Sequence, residues 1–313
     1  KELLTEEEYM QARESINTAF YTPPIIIRAM YKALANMGLD KGNILEPGCG
    51  IGNFIGLLPN NDKLKIYGVE KDIISGNIAR QLYQKSSITV KGFEEVNFSN
   101  SFFDVAIGNV PFEDLPVIDK KYDRRNFLIH DYFFAKSIDK LRPGGVIAFI
   151  TSQHFMDKKN DDVRKYIAQR ADLIGAIRLP NDVFKKSAGT TVTSDIIFLQ
   201  KRDSITDIMP DWINIDTNED GMRINKYFVD NPNMIMGKME LKTNQYGREE
   251  PTCIPIENID LEEMLNNAIP NIKGEIKDYR IDDIADNEDL SVEADLNVKN
   301  FSYTLIDNKI FYR

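Results

Sequence analysis

An open α/β sheet with mostly parallel strands is the fold this sequence predicts, and three observations predict it. Short apolar runs such as Ile44-Leu45, Val105-Ala106-Ile107 and Val146 to Ile150 recur between stretches with apolar residues at helical spacing, the alternation of buried strands and covering helices. The first run leads into a glycine-rich loop, Glu46-Pro47-Gly48-Cys49-Gly50-Ile51-Gly52. The second, Lys65 to Glu70, ends in a carboxylate. Such sheets bind ligands at the carboxyl ends of their strands.

Composition sets the outer bounds. With 313 residues, 42% of them hydrophobic, the chain can bury a substantial core, and one large domain plus an appendage is expected. No run of ~18 apolar residues offers a membrane span, and the acidic opening Lys1-Glu2-Leu3-Leu4-Thr5-Glu6-Glu7-Glu8 is unlike a secretory signal. The only cysteines, Cys49 and Cys253, argue against a disulfide scaffold or zinc cluster and fit a reducing cytoplasm. With His130 and His154 the only histidines, no metal site is expected. The missing initiator methionine suggests a piece cut from a longer protein. The net charge of −10 divides unevenly, since residues 1–202 hold 28 Lys+Arg against 25 Asp+Glu and residues 203–313 hold 11 against 24. That asymmetry marks a boundary at Arg202-Asp203, with only the first part suited to facing phosphate.

In chain order, Thr5 to Ile16 reads as a helix opened by a Thr5–Glu8 capping box. Phe20, Tyr21 and Thr22 then stand in a loop before Pro23-Pro24, which can open a helix from Ile25 to Met37. In the glycine loop, Gly48, Gly50 and Gly52 permit a tight turn and close approach to a ligand. A helix starting just beyond would face that ligand with its amides. An acid and a proline ahead of Gly-x-Gly-x-Gly match neither the dinucleotide Gly-x-Gly-x-x-Gly nor a phosphate loop. Glu70 lies 18 residues past Gly52, near the spacing at which an acid meets ribose hydroxyls; capping of a helix from Asp72 is the other reading. Ile88 to Gly92 is a third strand, followed by Phe93-Glu94.

The fourth strand breaks at Gly108 and presents Asn109, Val110, Pro111 and Phe112 at its end. An amide oxygen and a carbonyl held by a following proline can both accept from one planar amino group, and a ring can stack on its plane. A plain chain reversal by Asn109 and Pro111 fits the same residues. Pro116 to Arg125 is a polar loop carrying Lys120, Lys121, Arg124 and Arg125. Asn126 to Leu141 is an amphipathic helix closed by Pro143-Gly144-Gly145, and Val146 to Thr151 is a fifth strand. Asp157 to Arg170 reads as one charged helix with Lys158 and Lys159 in its first turn. Leu173 to Leu179 and Val192 to Leu199 are two more strands about a loop from Pro180 to Gly189. Beyond Arg202, Trp212, Tyr227-Phe228-Val229 and Met234 to Gly237 are apolar islands expected to pack on the main domain. Leu261 to Ala268 reads as a short helix, and Phe301 to Arg313 as a hairpin turning at Asp307-Asn308.

Over roughly residues 5–202, these motifs and their order resemble the gamma arrangement of S-adenosylmethionine-dependent amino-methyltransferases of DNA. The likeness is nearest to the adenine-methylase-like domain of large helicase–methylase proteins of bacterial mobile elements and phages. Ile129 to Phe134, Arg164 to Arg170 and Gly175 to Pro180 add to it. Val110 departs from the family's Asn-Pro-Pro-aromatic pattern, although it retains the carbonyl that the family uses.

The resemblance implies a Rossmann-like seven-stranded methyltransferase sheet in the order 3-2-1-4-5-7-6, last strand antiparallel and helices on both faces, plus an acidic α+β C-terminal appendage. It divides the chain into an N-terminal helix and cofactor-contacting element (1–22), a catalytic domain (23–202) and an acidic extension (203–313). The implied cofactor is S-adenosyl-L-methionine, held by Phe20, Tyr21, Thr22, Glu46, Pro47, Gly48, Cys49, Gly50, Gly52, Asn53, Phe54, Glu70, Lys71, Phe93, Glu94 and Asn109. Asn109, Val110, Pro111 and Phe112 would capture a flipped adenine of DNA and expose its N6 amine to methylation. Lys120, Lys121, Arg124, Arg125, Lys158 and Lys159 would contact the DNA, duplex or transiently single-stranded. A helicase fusion partner in a longer cytoplasmic parent is expected. Alternatives are a weak or inactive cofactor- and DNA-binding module, and a protein-glutamine or RNA-adenine N-methyltransferase.

Overall fold

Residues buried on both faces of a sheet must be apolar without alternation, and that requirement shapes the centre of the molecule. The computed structural model describes residues 5, 21–112, 115–125, 127–185, 189, 191–243, 247, 249–277, 303–306 and 309–312. Beyond Thr5 itself, the helix expected at 5–16 lies outside them, as do Phe20 and the side chain of Arg124. Seven strands form one sheet: β1 (Gly42–Glu46), β2 (Leu64–Glu70), β3 (Ser87–Val90), β4 (Phe103–Asn109), β5 (Leu141–Ser152), β6 (Ala171–Leu179) and β7 (Ser194–Lys201). Their order is β3-β2-β1-β4-β5-β7-β6. Strand β7 runs antiparallel to both neighbours and the other pairs are parallel, as the resemblance implies. Ile44, Leu45, Val105, Ala106, Ile107 and the whole run Val146 to Ile150 are buried.

The helices start where local chemistry lets them. Helix α1 (Pro24–Asn36) has proline in its first turn, where a missing N–H costs nothing, and buries Ile26, Ile27, Met30, Ala33 and Leu34. Helix α2 (Asn53–Gly56) is a single turn after the glycine loop. Helix α3 (Ile73–Leu82) is capped by the Asp72 carboxylate, which accepts from the Ser75 N–H at 2.6 Å. Helix α4 (Ile129–Lys140) is buried along most of its length. Among the described residues no helix is long and apolar enough to cross a membrane.

Three boundaries differ from the sequence reading. Helix α4 begins at Ile129, because Leu128 bridges to Pro116 and the Ile129 N–H donates to the Leu115 carbonyl at 2.9 Å. Strand β5 begins at Leu141, and the register on β4 shifts between Phe103 and Val105. Pro143-Gly144-Gly145 therefore lies inside the strand. A β-carbon on Gly145 would sit 2.9 Å from the carbonyls of Arg142 and Asp104, so only glycine lets the chain pass there. The single charged helix expected over 157–170 is two, α5 (His154–Asp157) and α6 (Asp162–Ala168). They part where the Asp157 carboxylate turns to accept the Asn225 N–H at 2.8 Å and to pair with Arg178 at 2.9 Å.

The change of composition at Arg202 is not a break in packing, since one compact unit continues to Ile276. It includes the ribbon of β8 (Ile215–Thr217) and β9 (Arg223–Asn225), helix α7 (Lys226–Asp230), the ribbon of β10 (Lys238–Thr243) and β11 (Glu249–Ile254), and helix α8 (Leu261–Ala268). Trp212, Phe228, Met234 and Met236 are buried within it. A second unit, Lys277–Arg313, contains the antiparallel pair β12 (Tyr303–Ile306) and β13 (Lys309–Tyr312). Its connecting residues, Asp307-Asn308, lie outside the described set.

Arg178 fastens the acidic segment to the sheet. Fully buried on β6, it makes two 2.9 Å bonds to the equally buried Asp195 of β7 and stands 4.3 Å from the Phe228 ring centre. Its carbonyl accepts from the Met236 N–H at 2.8 Å. Burial alone would make the guanidinium easier to deprotonate, but Asp157 and Asp195 outweigh that and hold it charged. Arg178→Met should leave the buried Asp195 and the half-buried Asp157 without a counter-ion and destabilise the fold by ~3–5 kcal/mol. Urea unfolding of the two proteins measures it; a loss below ~1 kcal/mol would show that the cluster is dispensable.

Candidate active site

Three neighbouring strands, β2, β1 and β4, end at one edge of the sheet and bring Glu70, Glu46 and Asn109 there. Parallel neighbours are about 4.8 Å apart, so Glu46 lies between the other two. The loop after β1 is anchored on β2 by a 2.9 Å bond from the Cys49 N–H to the Val69 carbonyl. It then turns through Gly50 (φ +53°) and Gly52 (φ +88°). A β-carbon on Gly52 would collide with the Tyr83 ring, whereas one on Gly50 would meet nothing within 4 Å. Gly52 is therefore held to glycine by both conformation and contact.

Glu70 braces the glycine loop and the residue that caps α3. One carboxylate oxygen accepts from the Gly50 N–H and the other from the Asp72 N–H, each at 2.7 Å. Burial nevertheless raises its pKa from the ordinary carboxylate value, against the pull of those amides. Glu46 is the more extreme case. It is 1% exposed, and its Oε2 has no hydrogen-bond partner among the described residues. Burial first, and then the Glu70 charge, raises its pKa well above the ordinary value. Tyr31, whose hydroxyl donates to the Phe54 carbonyl at 2.9 Å, is shifted upward by burial and by Glu46. Thr22 is buried too, and its hydroxyl has no partner among the described residues. A dry acid leading into a glycine loop suits a ligand carrying a positive charge.

The other expected cofactor residues divide by exposure. Tyr21 and Lys71 are exposed, Gly48 and Asn53 are half-buried, and Pro47 and Phe54 are buried. Cys49 is buried, and burial pushes its thiol far above the range in which a thiolate forms, so it fills space. Phe93 follows β3 in a short 3-10 turn and faces the core. Its ring packs against Phe133 with centroids 5.2 Å apart, and its carbonyl accepts from the Lys136 ammonium at 2.7 Å. Glu94 beside it is half-buried.

At the end of β4, Asn109 is half-buried and Val110 is 2% exposed. The Val110 N–H donates to the Ile150 carbonyl at 3.0 Å and so continues the β4–β5 pairing by one residue. A proline at 110 would lose that bond, which gives the departure from the family pattern a structural reason. Pro111 and Phe112 are half-buried, and the Phe112 ring stands edge-on to Phe184 at 6.4 Å. Phe184, fully buried, belongs to the loop after β6 and has no place in the sequence reading. A lone aromatic among the polar residues 180–189 was the available signal.

The expected DNA contacts are unevenly placed. Lys120 and Lys159 are exposed. Lys121 pairs with Asp139 at 2.6 Å, Lys158 pairs with the buried Asp131 at 2.8 Å, and the Arg125 guanidinium lies 4.7 Å from the Tyr166 ring centre.

Known proteins resemble this chain in sequence and in fold. Residues 57–184 match the family described as Eco57I restriction-modification methylase. The chain is 30% identical over 188 residues to "Defense against restriction protein B" of Escherichia phage P1, covering 58% of this chain and 8% of that protein. It is 29% identical over 164 residues to "Type II methyltransferase M.HincII" of Haemophilus influenzae, covering 47% of this chain and 30% of that one. The chain thus spans less than a third of the length of either relative. Among solved structures, one from Listeria monocytogenes described as a class I S-adenosylmethionine-dependent methyltransferase superposes with a TM-score of 0.50 at 21% identity, over 60% of this chain and 62% of that one.

The raised pKa of Glu46 has a measurable sign. Its contribution to stability is fully present below the unfolded value of about 4.3 and is lost as pH rises through the higher folded value. Glu46→Gln should therefore gain stability relative to wild type across that rise and flatten the pH dependence. Urea midpoints collected from pH 4 to 9 test this; parallel curves for the two proteins would contradict it.

Proposed function

We propose that this chain, whose residues 57–184 match the Eco57I restriction-modification methylase family and whose sheet has the strand order 3-2-1-4-5-7-6, uses S-adenosylmethionine to methylate the N6 amine of adenine in duplex DNA. The observation that carries the reading is the placement of Asn109-Val110-Pro111-Phe112 at the end of β4, next to the strand that ends in Glu46. The cofactor supplies a methyl group already activated on a sulfonium, so the residues need only align an amine with it and keep that amine's lone pair available.

Glu46 and Thr22 would receive the cationic amino acid end of the cofactor, Glu70 its ribose, and the backbone of Gly48 to Gly52 would lie against it. The amino group, by its charge, would restore Glu46 to the ionised form that burial disfavours. On the target side, the Asn109 amide oxygen and the Val110 carbonyl would accept the two N–H bonds of the amine. Phe112, steadied edge-on by Phe184, would stack on the base. A base in a duplex reaches such a pocket only by leaving the stack. Lys120 and Lys159 are the exposed cations best placed for phosphate, and binding through them should weaken as salt rises.

Asn109→Ala should lose methylation by roughly two or more orders of magnitude and far less of the cofactor affinity, because the cofactor would keep its other partners while the amine would lose its amide acceptor. Sequencing-based mapping of DNA incubated with each protein reads the first part, and calorimetry with S-adenosylhomocysteine reads the second. Equal marks from both proteins would overturn the assignment of Asn109. A mark on cytosine, or transfer only to RNA or to protein amides, would overturn the choice of adenine in DNA.

A further inference from the structure

One apolar feature of the surface has no part in cofactor or base capture. Between the target motif and α4, the segment from Leu115 to Asp123 is fastened to that helix at several points. The Leu115 carbonyl accepts from the Ile129 N–H at 2.9 Å, and Pro116 bridges to Leu128. Asp119 accepts from the Tyr132 hydroxyl at 2.7 Å and from the Lys136 ammonium at 3.2 Å, and the Tyr122 hydroxyl donates to Asp139 at 2.6 Å. Between these fixed points the side chain of Ile118 stands 85% exposed, and that of Leu115 56%.

A single exposed aliphatic residue is ordinary. This one sits at the tip of a tied-down segment, six residues from Phe112 and so within ~20 Å of it along the chain. Lys120 and Lys121 follow it closely. A base withdrawn from a duplex leaves a gap in the stack, and an apolar side chain held rigidly beside cations is suited to filling it. A flexible loop would lose conformational freedom on insertion, whereas this one is already ordered by its bonds to α4.

We propose that Ile118, backed by Leu115, is an apolar wedge that enters the base stack of duplex DNA as the target base leaves it. The proposal rests on the adenine-methylation reading above. Its test uses two duplex oligonucleotides built around the adenine found by methylation mapping, one fully paired and one with an abasic site opposite the target. The side chain is so exposed that Ile118→Ala should fold with an unchanged Tm. Its kcat/KM on the paired duplex should fall roughly tenfold or more, and on the abasic duplex by less than about twofold, because opening then needs little help. Ile118→Met should restore most of the loss. With 2-aminopurine at the target, the fluorescence rise on binding paired duplex should shrink in Ile118→Ala and recover in Ile118→Met.

Equal rates for wild type and Ile118→Ala on paired DNA would overturn the wedge, as would the same fold loss on both duplexes. Failure of the underlying reading would look different, with no methyl transfer by wild type to either duplex. In that case mapping marks no adenine, and the wedge falls together with the reading on which it rests.

Discussion

A carboxylate kept dry at the end of β1 is the constraint on which the site depends. Parallel strands buried on both faces deliver their last residues to one edge, and β1 delivers Glu46 to a position with 1% exposure. An ionised acid there is buried, close to the Glu70 charge and without an ion-pair partner among the described residues, so the protein alone is better served by the neutral form. The surrounding core holds that unfavourable placement open. A ligand that brings positive charge recovers what burial took away, and it does so only if it reaches this one position.

The two sides of the site are stiffened by different means. On the cofactor side, backbone bonds run from Cys49 to β2 and from Gly50 to Glu70, so the loop is fixed by its neighbour strand. On the target side, the strand itself is prolonged, with Val110 still paired to β5 where the family pattern has proline. A hydrogen bond thus supplies the rigidity that a second proline would supply through its ring. The segment beyond is then held by side chains of α4, chiefly through Asp119 and Asp139. Each piece of the site is therefore ordered by a different layer of the fold.

What was legible in the sequence was what depends on near neighbours. The glycine loop, the acid at the end of β2 and the apolar strands carry their signal within a few residues, and the sheet order came with the family they resemble. Asp157 shows the limit. Its helix ends where Asn225 and Arg178 claim the carboxylate, and no local pattern announces partners so distant in sequence. Lys121 and Lys158 look like free cations in the sequence, yet each faces a carboxylate brought up by α4. Phe93, expected among the residues that hold the cofactor, packs its ring on Phe133 and gives its carbonyl to Lys136. Charge counts separated the acidic segment from the sheet correctly as composition, but its buried residues, few and scattered, decide where it packs.

That packing bears on how such a chain can be inherited. Gly175 on β6 has no side chain because Ile272 of the acidic segment occupies the space, with its Cγ1 3.0 Å from where a β-carbon would stand. The Ile276 N–H donates to the Met37 carbonyl at the end of α1, at 2.7 Å. The segment thus touches both the last strands of the sheet and its first helix. Recombination that joined these strands to a different C-terminal partner at Arg202 would leave a notch at Gly175 and would strip the Phe228 ring and the Met236 N–H from the buried Arg178. A change in the sheet or in residues 203–276 therefore bears on the other.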